Sequence, residues 1–109
     1  MANLLGTFEQ SVLLSILGLE KDAYGRAILN QVQESLARNV SAGSVYSTLE
    51  RLEASGLVRS KLAEGTTVRG GRARRYYSVA AEGLRALSAT RRALTAIWQG
   101  VRLPVEEKR

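Results

Sequence analysis

The chain has 109 residues, 45% of them hydrophobic and 24% charged, which suits one small globular domain whose modest core would gain from dimerisation. Sixteen lysines and arginines against ten acids give a formal net charge of +6 and a pI near 10.3, so a polyanion is the first partner to consider. Cysteine and histidine are both absent, which excludes disulfides, thiol redox sensing, the usual zinc sites and every histidine-based relay.

The N-terminus MANLLGTFEQ has no basic leader and places Glu9 before an apolar run too short to span a bilayer. Neither a signal peptide nor a membrane helix is expected, and the cytoplasm is the expected location. Attachment to a membrane surface would need an amphipathic basic helix or a lipid signal, and the sequence has neither. From Thr7 onward Phe8, Val12, Leu13, Ile16 and Leu17 recur at helical spacing, predicting a core helix that ends near Gly18. Asp22 is the expected cap of a second helix, Ala23 to about Ala37, with Ile28, Leu29, Val32 and Leu36 inward and Tyr24 and Gly25 at its start.

Arg38 and Asn39 form the turn into a third helix, which Ser41 caps and Gly56 ends at positive φ. Val45, Leu49 and Leu52 fall on one face of it, while Ser44, Ser47, Thr48 and Arg51 lie largely off that face. A short, hydroxyl-rich exposed side suits a helix that enters a groove and touches base edges or phosphates. The plain alternative is a solvated polar face. Glu50 and Glu53 would repel DNA, so only the first two turns are expected to enter a groove. Arg51 has two readings, a phosphate contact or an ion pair with Glu50 or another neighbour.

After Gly56 the run Leu57 to Leu62 reads as a strand and Arg75 to Val79, RYYSV, as its return. Between Arg59 and Arg75 lie six basic residues and one acid, leaving ten bases and nine acids for the rest of the chain, so nearly all the excess charge sits on this hairpin. Basic residues also protect sheet edges from pairing. Four arginines in seven residues, Arg69, Arg72, Arg74 and Arg75, beside two glycines exceed that need and point to a phosphate-binding wing. The strand period of two turns Tyr77 and Val79 toward the core.

The last helix is predicted from near Ala81 to about Val101, with Pro104 forbidding continuation. Leu84, Leu87, Arg91, Leu94, Trp98 and Val101 are spaced alternately by three and four, a heptad seam interrupted once by Arg91, and Ala86, Ala89, Ala93 and Ala96 make a second stripe. Two apolar stripes exceed what one small domain can cover, so one is expected to meet a second copy; the alternative is a helix folded onto its own core. The expected organisation is residues 1–80 as the DNA-binding domain, 81–103 as the dimerisation helix and 104–109 as a flexible tail. The fold class is mainly α (α+β).

AYGRAILNQV, SAGSVYSTLERLEASGLV and GRARRYYSVAAEGLRAL together resemble the successive signatures of the PadR family of bacterial transcriptional regulators, over about Leu13 to Leu87. The resemblance implies a winged helix-turn-helix homodimer of the short subfamily with a single C-terminal helix, binding double-stranded DNA at an inverted-repeat operator, in all expectation as a repressor. It implies DNA contacts from Tyr24, Ser41, Ser44, Tyr46, Ser47, Thr48, Arg51, Arg69, Arg72, Arg74 and Arg75. Tyr24 would open the helix crossing the DNA backbone, where it either meets a phosphate or packs under the wing. Family members often have Thr where this chain has Ala80, a lost cap that costs roughly 1 kcal/mol. Multidrug-sensing relatives hold ligands at an interfacial tryptophan, a position that Trp98 resembles. Trp98, with Leu94 and Ile97, then either packs against its own copy or stacks on a planar aromatic ligand. No cofactor or metal is expected, and no carboxylate pair, activated nucleophile or phosphate-cradling loop is placed for catalysis, so the chain is not expected to be an enzyme. The rival reading is a winged-helix module that docks an acidic protein.

Overall fold

The computed structural model describes residues 4–63 and 74–107. Its elements are α1 (Thr7–Leu19), α2 (Gly25–Leu36), α3 (Ala42–Ala54), β1 (Val58–Leu62), β2 (Arg75–Val79), α4 (Ala81–Trp98) and a short α5 (Pro104–Glu107). Three helices pack around a core of Val12, Leu13, Ile16, Ala23, Ile28, Leu29, Val32, Val45, Leu49 and Leu52, closed by Val58 from the sheet. The fold is mainly helical with one antiparallel hairpin, as expected.

Local signals set most of the boundaries. Ser41 Oγ accepts from the Ser44 N–H at 3.1 Å and starts α3, a cap worth about 1 kcal/mol. Gly56 at φ 81° turns the chain out of it. Strand β1 pairs with β2 in the register Val58↔Val79 to Leu62↔Arg75, and Tyr77 and Val79 pack against the core.

Three expectations are corrected. Asp22 does not cap α2, because Ala23 makes a tight turn, Tyr24 is extended and both are committed to β2: the Tyr77 N–H donates to the Ala23 carbonyl at 2.8 Å and Tyr24 bridges Tyr76. Helix α2 therefore begins only at Gly25. Leu17 is 41% exposed and lies with Leu14 on an outer face of α1, away from Val12, Leu13 and Ile16. Helix α4 stops at Trp98 rather than near Val101, since Gly100 at φ 73° ends it, and Pro104 opens the next helical turn instead of blocking one.

Ala80 stands at the N-cap of α4 with no side-chain bond, and packing does the work a cap would have shared. Gly83 lets α4 lie directly on the Leu57 carbonyl, with Gly83, Ala86 and Thr90 as its buried stripe.

Candidate nucleic-acid interface

The exposed start of α3 carries the serines. Ser41 and Ser44 share a hydroxyl pair at 2.8 Å, and the Ser47 hydroxyl donates weakly to the Ser44 carbonyl at 3.4 Å. Together with Arg38, Asn39 and Val40 they line a concavity of about 390 Å³ at the turn between α2 and α3. Arg38, read from sequence only as a turn residue, thus puts a cation beside the hydroxyl face. A basic residue next to a serine-capped helix start was the signal that could have found it.

Thr48 also lines that concavity but presents little of itself to it. It is 4% exposed, on the inner side of α3, and its Oγ1 accepts from Arg51 Nη2 at 3.4 Å. Arg51 in turn pairs with Glu9 of α1 at 3.5 Å rather than with Glu50.

Tyr46 is 43% exposed and its ring lies over the start of α2. A Cβ built on Gly25 would come within 2.5 Å of the Tyr46 ring and hydroxyl, so Gly25 is the residue that lets the two helices of the motif approach there.

At the base of the wing the Arg74 guanidinium sits 4.0 Å over the Tyr24 ring, which meets Tyr76 edge-on at 5.8 Å. Tyr24 packs under the hairpin. A side-chain hydrogen bond with Tyr76 is the main reason the Arg74 pKa lies above its ordinary value. The Tyr77 hydroxyl is also raised, in its case by burial. Arg75 Nη1 donates to Ser60 Oγ at 2.9 Å, and Ser60 donates to Glu53 Oε2 at 2.7 Å, tying the wing to the end of α3. Arg69 and Arg72 lie outside the described residues.

The residues expected to dimerise divide. Leu87 packs against the chain's own core, while Leu84, Arg91, Leu94, Ile97 and Trp98 are exposed on α4 and Val101 is exposed beyond it. Among the described residues no helix is long and apolar enough to cross a membrane.

A model of the transcriptional regulator PadR-like family matches residues 13–89. The chain belongs to the PadR family. A PadR family transcription regulator from hypervirulent Clostridium difficile is 27% identical, with a TM-score of 0.65 over 83% of this chain and 90% of that one. One from Eggerthella lenta is 30% identical, with a TM-score of 0.64 over 82% and 75%. A PadR-like transcription factor from Bacteroides fragilis shares the fold at 24% identity and a TM-score of 0.67, covering 84% of each chain. No curated protein matches the sequence significantly. As a PadR-family member the protein is a DNA-binding transcriptional regulator, and regulators of this family are not enzymes.

Proposed function

We propose that this PadR-family regulator is a homodimeric repressor that reads an inverted-repeat operator with the first turns of α3 and grips the flanking phosphates with its wing. The observation that carries the dimer is the apolar surface beyond Thr90. Leu94, Ile97 and Trp98 are 42%, 67% and 51% exposed there, and Leu94 lines a groove of about 410 Å³ with Leu14 and Leu36. A contiguous patch of that kind on a small basic protein suits burial against a second copy. The α4 helices would then set the spacing of two α3 helices, with half-sites about one helical turn apart.

Ser44, Ser47 and Tyr46 face outward on α3 for the groove, with Ser41 and Arg38 at its mouth, and Arg69, Arg72, Arg74 and Arg75 serve the phosphates. Thr48 and Arg51 support the helix from behind. Trp98 with Leu94 lines a shallow hollow of about 510 Å³ on α4, where either the partner's indole or a planar aromatic effector would stack.

Selection of bound sequences from random duplex tests the reading. An inverted repeat should emerge, Ser47→Ala should shift its sequence, and Arg72→Ala should weaken all duplexes alike while lowering the salt slope by about one. Recovery of no preferred sequence, or a wing substitution without effect on random duplex, would refute it. A chain ending at Ala93 should sediment as a monomer.

A further inference from the structure

Residues Leu4 to Gly6 run between α4 and α3, bonded to α4 directly and to α3 only by way of Glu9 on α1. Thr90 is 3% exposed and is the last buried residue along α4, and its Oγ1 accepts from the Leu5 N–H at 3.0 Å. One residue on, the Gly6 N–H donates to Glu9 Oε1 at 3.1 Å. The other oxygen of that carboxylate accepts from Arg51 Nη1 at 3.5 Å, and Arg51 Nη2 donates to Thr48 on the inner side of α3. Hydrogen bonds therefore lead from α4 through the N-terminal segment to the back of the recognition helix.

Packing holds this segment in part, since Leu5 lies against the core. A cleft of about 610 Å³ lies between Leu4 and Leu5 on one side and Leu52, Leu57 and Ala86 on the other, and Leu4 is 58% exposed. The core contact of Leu5 and the polar contacts together fix where the segment sits.

We infer that Leu4 to Gly6 form a strap through which α4 sets the position of the recognition helix, with Thr90 and Glu9 as its two positioning residues. Thr90 borders the exposed half of α4, so any shift that a second copy or a ligand imposes there reaches Leu5 directly. Glu9 passes it on, because one carboxylate holds both the Gly6 N–H and the Arg51 guanidinium. The inference rests on the proposed roles of α3 in reading DNA and of α4 in making the dimer.

The test uses the full chain with the operator recovered by selection, and follows dimerisation separately by sedimentation. Thr90→Val keeps the shape and removes the acceptor, Thr90→Ser keeps the acceptor, and Glu9→Gln keeps an acceptor for Gly6 while dropping the charge that faces Arg51. Thr90→Val and Glu9→Gln should each weaken operator binding about 3- to 10-fold, the effect of one lost hydrogen bond, with the dimer constant unchanged. Thr90→Ser should stay within about twofold of wild type, and the Thr90→Val/Glu9→Gln double variant should lose no more than its weaker parent, because both break the same strap. Saturating operator should in turn slow hydrogen exchange at the Leu5 amide, since coupling is reciprocal. Additive losses in the double variant, a Thr90→Ser that fails to restore binding, or losses that only track the dimer constant overturn the strap. Wild-type binding with both substitutions silent overturns the strap alone, whereas a wild-type chain that selects no DNA overturns the underlying roles and the strap together.

Discussion

Replacing Gly83 by Ala should destabilise the protein, although alanine is the better helix former by about 1 kcal/mol at an open position. Gly83 is buried in α4, and a Cβ there would press on the Leu57 carbonyl oxygen and come within 2.7 Å of Val79 Cγ1. Val79 can adjust a little, but the carbonyl cannot: it accepts from the Ala80 N–H at 2.9 Å and so fixes the junction of β2 with α4. Losing that bond costs about 1 kcal/mol, and forcing a methyl into a filled site typically costs about 1–3 kcal/mol. Set against the propensity gain, the net expectation is a loss of about 1–3 kcal/mol, or several degrees of melting temperature for a domain of this size. Urea and thermal unfolding at matched protein concentration measure it, because a dimer's stability depends on concentration. Gly18→Ala is the control, since nothing within 4 Å of the chain meets a Cβ there and the helical gain should appear unopposed. A Gly83→Ala chain as stable as wild type would refute the close approach of α4 to Leu57.

Gly25→Ala should act differently, because the atom it meets is the half-exposed Tyr46 ring, which can swing aside; the melting temperature should hardly change while operator affinity falls several-fold, and a chain that loses fold before affinity counts against it. With no histidine or cysteine, stability should be flat between about pH 6 and 9. Burial raises the Tyr77 hydroxyl, so the folded state holds that proton more tightly; this stability is full below the unfolded value of about 10 and is lost as pH rises through the folded value. Urea midpoints should therefore fall more steeply between those two values in wild type than in Tyr77→Phe, and equal slopes would rule Tyr77 out. Trp98→Ala should weaken the dimer about tenfold or more if the indole is buried there, by the usual worth of a large apolar side chain; saturable quenching of tryptophan fluorescence by planar dyes, with an intact dimer in the variant, would instead mark a ligand slot.

Elements written in short local codes were legible in the sequence. The Ser41 cap, the Gly56 exit and the strand Arg75 to Val79 each depend on a few adjacent residues, and each lies where the sequence put it. The burial of Thr48 was also legible: Val45, Thr48, Leu49 and Leu52 fall at i, i+3, i+4 and i+7, one inward stripe, although Thr48 still lines the serine concavity. Gly100 was a stop signal before Pro104 in the same way. What could not be read were the arrangements that depend on distant partners. The start of α2 is decided by β2, which takes the backbone of Ala23 and Tyr24, and Arg51 finds its carboxylate 42 residues away on α1. The contact of Gly25 with Tyr46 and that of Gly83 with Leu57 likewise exist only once helices cross.

The internal partners of the arginines bear on how such a chain could choose its operator. Arg51 is bonded to Glu9 and Thr48, and Arg75 to Ser60 and through it to Glu53. Exposed pairs of this kind are worth at most about 1 kcal/mol, so a phosphate could displace either. Glu50 and Glu53 would nonetheless stay beside them and oppose the DNA, which limits α3 to docking by its first turns. Ser44, Ser47 and Tyr46 are what that end presents. Hydroxyls can donate or accept and so discriminate bases weakly, whereas the bidentate arginine or asparagine contacts worth about 1–3 kcal/mol per base are missing from the helix face. Docked as proposed, such a regulator would gain more of its selectivity from the spacing and deformability of the site than from base edges. The distance between the two α3 helices of the proposed dimer would then be the main specificity determinant, so moving half-sites apart by one base pair should cost more affinity than any single base change within them.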